Sequence, residues 1–218
     1  FSFRAGASGA AVSGDTVYIA GWTWLDADGL TTQQWLMAFS ASTGQQLWQV
    51  AQAEPAQFVA VVAPPVIVGR TVALTLNVRR QVFVFDRFTA EPLWRSPFVI
   101  NGSSAFDPPF GSGDTLFVPG PESALEARRA TDGFVFWRWE GLGAQTYVMT
   151  RSRIYAEAGR TLYVIDRARG FLRWSGDRAS ASELPDALES ILFMAASDEG
   201  RVLLSVAGGV RCLRERAD

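Results

Sequence analysis

Leu162-Tyr163-Val164-Ile165-Asp166, closed by Gly170 and followed by Trp174, decides the fold, because the chain writes this sentence four times. The other copies run from Ala38-Phe39-Ser40 to Gly44 and Trp48, from Phe85-Asp86 to Ala90 and Trp94, and from Arg128-Arg129 to Gly133 and Trp137. Successive tryptophans are 46, 43 and 37 residues apart (48 to 94, 94 to 137, 137 to 174). That is the period of a four-stranded propeller blade, not of a helical or short-coil solenoid.

Working outward from each copy, a polar corner and an alternating apolar run come first: Gly14-Asp15-Thr16-Val17-Tyr18, Gly69-Arg70-Thr71-Val72-Ala73, Gly113-Asp114-Thr115-Leu116-Phe117, Arg151-Ser152-Arg153-Ile154-Tyr155 and Gly200-Arg201-Val202-Leu203-Leu204. Period-two alternation marks half-buried strands, and the corner marks the hairpin that leads in. Before each corner a stretch of small and β-branched residues reads as the inner strand, at 9–12, 59–63, 104–107, 146–150 and 191–196. Each unit is therefore inner strand, corner, second strand, third strand, turn and outer strand bearing Trp.

Within the turn, Asp86, Asp166 and Ser40 can accept backbone amides two residues on, and Gly44, Gly133 and Gly170 supply positive φ. Ala90 at a Gly position and Arg129 at an Asp position predict two less ideal turns. Each Trp is expected to cover the flank of a neighbouring blade, a burial worth a few kcal/mol at about 25 cal/mol per Å². The fifth unit runs through Val210-Arg211-Cys212-Leu213-Arg214 without a following Gly and Trp. Its open edge is a liability that residues around 1–4 could close, or that further blades of a larger propeller could cover. The expected fold is all-β: about five four-stranded repeat units forming one domain over 1–218, as a closed five-bladed ring or part of a larger propeller.

Composition narrows the chemistry. The 218 residues are 48% hydrophobic, 12% aromatic and 19% charged, which suits many half-buried strands. The net charge of −2 is mixed in sign along the chain, so no footprint for nucleic acid emerges. His and Lys are both absent. Ser-His-Asp and Cys-His catalysis, His-ligated zinc, Schiff bases and P-loop lysines are thereby excluded from this chain. No apolar run reaches a membrane span. Cys212, the lone cysteine, forms no internal disulfide and reads as a small buried strand residue.

Two segments depart from the repeat: a long loop from 22 to 35 in the first unit, and a polar insertion at 176–190 with helical character near 182–188. Loops on a rigid scaffold are where binding resides. Trp22, Trp24, Leu25 and Trp35 flank the first, and such a cluster can anchor a protein partner or stack on a sugar. The competing reading is that the tryptophans are strand ends packed internally. Asp26-Ala27-Asp28-Gly29 has the start of a calcium loop but lacks its third and distal ligands, and reads more simply as a hairpin tip. Arg151, Arg153, Arg160, Arg167, Arg169, Arg173 and Arg178 crowd one unit among Glu157, Asp166 and Asp177, either to grip an acidic partner or as a solvated face.

The combination of Gly113-Asp114-Thr115-Leu116-Phe117 with Leu162-Tyr163-Val164-Ile165-Asp166 and Gly170 to Trp174 resembles the repeat of quinoprotein-like β-propellers, the pyrroloquinoline-quinone (PQQ) repeat superfamily. The resemblance spans about Gly9 to Arg214. It implies either PQQ-dependent dehydrogenases, which are known for eight blades, a vicinal cysteine disulfide and a bound calcium or lanthanide, or non-catalytic envelope scaffolds. One Cys and about five blades point to the scaffold branch. The expectation is a non-catalytic binding or assembly module in an extracytoplasmic complex, holding no metal or cofactor and joined to protein partners through Trp22, Trp24, Leu25 and Trp35. The alternatives are a degenerate or fragmentary quinoprotein dehydrogenase and a glycan- or ligand-sensing propeller.

Overall fold

The computed structural model describes residues 5–25, 31–51, 56–57, 63–76, 81–94, 98–99, 109–119, 124–140, 146–158, 161–177, 191–196, 201–206 and 209–214. The chain is all-β, a set of antiparallel sheets with strands in sequence order. The first sheet holds β1 (Ala5–Ser13), β2 (Thr16–Trp24), β3 (Thr31–Ser40) and β4 (Gln46–Ala51), with β5 (Ala56–Gln57) paired to β3. The second holds β6 (Val66–Val68), β7 (Thr71–Leu76), β8 (Gln81–Asp86) and β9 (Phe98–Val99). The third holds β10 (Phe110–Ser112), β11 (Thr115–Pro119), β12 (Leu125–Arg129) and β13 (Val135–Trp139). The fourth holds β14 (Thr146–Met149), β15 (Arg153–Ala158), β16 (Thr161–Asp166) and β17 (Leu172–Asp177). Three strands make the fifth: β18 (Ile191–Ala196), β19 (Arg201–Val206) and β20 (Gly209–Arg214). These sheets are the repeat units of a β-propeller.

By backbone proximity the chain divides into two compact units. One comprises Phe1–Asn101, Pro108–Pro121 and Glu126–Phe136, the other Gly102–Asp107, Glu122–Leu125 and Trp137–Asp218. In the first unit β1 lies beside β6 and β6 beside β10; in the second β14 lies beside β18.

Inner strands fall where the sequence predicts in the first, fourth and fifth sheets, and elsewhere in two. In those two the inner strands are Val66–Val68 and Phe110–Ser112, while 58–62 and 101–108, which hold most of the expected 59–63 and all of 104–107, lie outside the described residues. The cause is the corner. A two-residue hairpin forces the strand to end on it, so Val68 pairs with Thr71 and Ser112 with Thr115. Small size matters at Gly111, where an added Cβ would sit 2.0 Å from Val68 Cγ2.

Why sheet stacks on sheet is visible in β7, where Thr71 to Thr75 are all buried, a pattern that requires cover on both faces. Val72 and Leu74, with Phe85, pack on Tyr18, Ala20, Leu36 and Ala38 of the first sheet. The opposite face, Ala73 with Val82 and Val84, packs on Leu116, Val118 and Ala130 of the third. In the second unit Ile154 to Ala158 of β15 are likewise all buried.

Each of the first four sheets ends in one hairpin geometry. The amides of Gly44, Ala90, Gly133 and Gly170 donate to the carbonyls of Ser40, Asp86, Arg129 and Asp166 at 2.8–2.9 Å. The next residues along, Ala41, Arg87, Ala130 and Arg167, donate to the corner carbonyls of Asp15, Arg70, Asp114 and Ser152. Ala90 adopts φ 63°, a left-handed conformation that costs a non-glycine residue about 1–2 kcal/mol, as expected of the less ideal turn. In the turn that opens on Arg129, Asp132 takes over, its Oδ1 accepting the Phe134 amide and its Oδ2 pairing with Arg129 Nη1.

A bulge follows the turn. Ala38 pairs with Trp48 but Phe39 with Gln46, and Val164 pairs with Trp174 but Ile165 with Leu172. The extra residue changes the aim of the strand, and at Trp48 the indole leaves its own sheet for the next. Trp48 Nε1 donates to Arg87 O at 3.0 Å, Trp94 Nε1 to Ala130 O at 2.9 Å and Trp137 Nε1 to Arg167 O at 3.1 Å. In every case the acceptor follows the turn-opening residue of the next sheet. Trp174 behaves differently: it is 44% exposed and lies along its own strand, over Gly176.

Cys212 is exposed, not buried as expected. It pairs across β19–β20 with exposed Leu203, while the neighbouring residue Val202 faces the other way and is buried. Among the described residues no helix is long and apolar enough to cross a membrane.

Candidate functional site

The tryptophans flanking 22–35 are strand residues. β2 runs through Trp24 and β3 starts at Thr31, with Trp22 opposite Gln34 and Trp24 opposite Thr32, so 22–24 and 31–35 of the expected loop are strand, and 26–30 lie outside the described residues. Both arms keep their alternation, and the ladder keeps pairing past the length that the other hairpins use. Asp26 and Asp28 lie outside the described residues, as does most of the 176–190 insertion.

Alternation divides the four predicted residues. Trp22 and Trp24 stand on the same face of β2 as buried Tyr18 and Ala20. Their rings meet edge to face, with centroids 5.2 Å apart at 85°. Trp22 folds over its cross-strand partner Gly6, where a Cβ would lie 2.6 Å from the indole. Leu25, at the strand end, is 52% exposed. Trp35 sits on the opposite face, over Gly21, and its Nε1 is buried with no hydrogen-bond partner among the described residues.

Sequence reasoning missed the polar floor beside the Trp22–Trp24 pair. Thr32 and Gln34 are both buried, and Gln34 Nε2 donates to Thr32 Oγ1 at 3.0 Å. The signal was present in Thr31-Thr32-Gln33-Gln34, a polar run inside an otherwise apolar strand. Two half-buried indoles, an exposed leucine and a polar floor can bind apolar side chains or a flat ring by contact; none of these groups can carry a proton at neutral pH.

The arginine-rich fourth sheet resolves into structural and exposed members. Asp166 Oδ1 accepts the amides of Ala168 and Arg169, and its Oδ2 accepts Arg173 Nη2 at 2.7 Å. The second sheet repeats this with Asp86, the amides of Phe88 and Thr89, and Arg70. Burial opposes ionisation of both carboxyls, but the guanidiniums and turn amides outweigh it and hold both below the ordinary carboxylate value. In the first sheet Asp15 serves from outside the turn, accepting the Ser40 and Ser42 hydroxyls and the Ser42 amide; the Ser42 and then the Ser40 hydroxyl hold its carboxyl low. Arg167 Nη1 reaches Thr150 O, whereas Arg151 and Arg169 are exposed. Arg160 and Arg178 lie outside the described residues. No group of three or more Cys, Asp or Glu among the described residues could hold a metal ion.

A family model described as "Outer membrane protein assembly factor BamB", built on PQQ-type repeats, matches residues 2–97, 32–174 and 78–214. Solved structures with the same fold include BamB from Moraxella catarrhalis, 13% identical with a TM-score of 0.55, covering 93% of this chain and 70% of that one. The computationally designed Ika8 protein is 12% identical with a TM-score of 0.60, covering 96% and 71%. The quinohemoprotein alcohol dehydrogenase from Comamonas testosteroni is 14% identical with a TM-score of 0.57, covering 90% of this chain but 43% of its own. No curated protein matches the sequence.

Proposed function

Because the chain belongs to the PQQ-repeat family of the outer membrane protein assembly factor BamB, we propose that it is a non-catalytic binding module, one domain over 1–218, in an extracytoplasmic complex of the cell envelope. The family match carries this reading, and the absence of His and Lys from the sequence supports it. Its partner is a protein, held through Trp22, Trp24 and Leu25, with Trp35 supporting the hairpin from the other face. Supporting this surface is the edge-to-face pair that stays half-buried beside exposed Leu25, a combination typical of an anchoring patch.

The test is the native mass of the particle isolated with the chain, compared with a Leu25→Arg variant. A particle well above 23.8 kDa that loses its partner in the variant supports the reading. A chain recovered alone, or a complex indifferent to Leu25→Arg, overturns it.

A second reading, a fragmentary quinoprotein dehydrogenase, is favoured by the likeness to the Comamonas testosteroni enzyme. Titration with PQQ and calcium or a lanthanide separates the two: a cofactor absorbance change speaks for the dehydrogenase, an unchanged spectrum against it. Quenching of tryptophan fluorescence by glycans would instead favour a sugar-sensing role for Trp22 and Trp24.

A further inference from the structure

The outer edges of the sheets are not alike. Along β4 exposed Gln46 and Gln49 interrupt the apolar residues, and at the second sheet Pro92, which has no amide to give, bridges Phe85. Both devices discourage a further strand. Among the described residues the fourth sheet ends on β17, hydrogen-bonded to β16 on one side; this outer strand carries no proline and, although Arg173 and Ser175 interrupt it, the chain enters it through Phe171-Leu172-Arg173-Trp174. Phe171, Leu172 and Trp174 are 45%, 44% and 44% exposed.

Charge gathers at the same end. The Arg167 amide donates to Ser152 O, which holds the 167–169 turn on the 151–152 corner. Around this junction stand Arg151, Arg167, Arg169 and Arg173, and the carboxylate of Asp166 is committed to Arg173 and the turn amides. Arg151 and Arg169 are exposed and have no side-chain partner among the described residues. An apolar edge strand beside the exposed guanidiniums of Arg151 and Arg169 is complementary to one kind of occupant. We infer that the outer edge of β17 accepts an extended acidic segment of a partner protein, which adds a strand to the sheet, sets apolar residues against Phe171 and Leu172, and brings carboxylates to Arg151 and Arg169. This surface is separate from the Trp22–Trp24 patch and stands whether or not that patch binds.

The experiment uses the intact chain and three labelled, end-blocked peptides of about eight residues, the length of an ordinary strand. One alternates Asp and Val, one replaces its valines with Pro, and one is polyglutamate. Fluorescence anisotropy should show the Asp-Val peptide binding and weakening at least about tenfold in Arg151→Glu/Arg169→Glu, whose side chains are exposed and leave the fold intact. Hydrogen exchange should show the β17 amides newly protected when that peptide is bound. Failure of the Asp-Val peptide to bind overturns the inference. So does equal binding of the Pro peptide or polyglutamate, which would mean charge without strand pairing, or an unchanged affinity in the double variant.

Discussion

The turns of the first and fourth sheets have the same backbone and opposite circumstances. Gly44 and Gly170 adopt φ 71° and 73° and close the same hydrogen bonds. Around Gly44 there is no atom within 4 Å of an added Cβ, whereas at Gly170 that atom would lie 2.4 Å from the Trp137 ring. The first turn is organised at the surface by Asp15 and two serines; the fourth by buried Asp166 and Arg173. Local chemistry is therefore enough to shape the hairpin, and the incoming tryptophan makes it part of a stacked body.

Removing that tryptophan tests the contrast most severely. Trp137→Ala should cost about 3–5 kcal/mol, read as a lowered urea midpoint, while Trp174→Ala, at an exposed site, should cost far less. Comparable losses would mean that docking adds nothing beyond area. Next in size, Gly170→Ala should cost about 2–4 kcal/mol, from strain plus overlap with Trp137, against about 1 kcal/mol for Gly44→Ala from strain alone.

Acid probes the two carboxylates. The folded pKa values of Asp86 and Asp166 lie below their unfolded values, so their contribution is complete above the ordinary carboxylate value and is lost as pH falls through the folded one. Urea midpoints between about pH 5 and pH 2 should fall, and Asp166→Asn should lower the neutral-pH midpoint and flatten the decline. The smallest effect is at the second turn. Ala90→Gly should stabilise by about 0.5–1 kcal/mol by relieving φ 63°, visible as a small rise in Tm.

Repetition made the fold legible. Asp166, Gly170 and Trp174 recur at fixed offsets, and a corner such as Gly113-Asp114 announces the strand after it. The strand before a corner was harder, because Val59 to Ala63 and Val66 to Val68 are equally apolar and only hairpin closure chooses between them. Acceptors such as Arg87 O and Arg167 O are backbone atoms with no residue signature, so the docking bonds could not be read in advance. For the candidate surface the strand faces could not be read in advance: β2 reaches Trp24 and β3 starts at Thr31, which puts Trp22 and Trp24 on one side and Trp35 on the other.

The most direct test of stacking through docked tryptophans is hydrogen exchange of indole Nε1–H groups in protein labelled at tryptophan, assigned by single Trp→Phe variants. Trp48, Trp94 and Trp137 should be strongly protected and Trp174 should exchange rapidly. Rapid exchange at the first three, or equal protection at Trp174, would contradict the account.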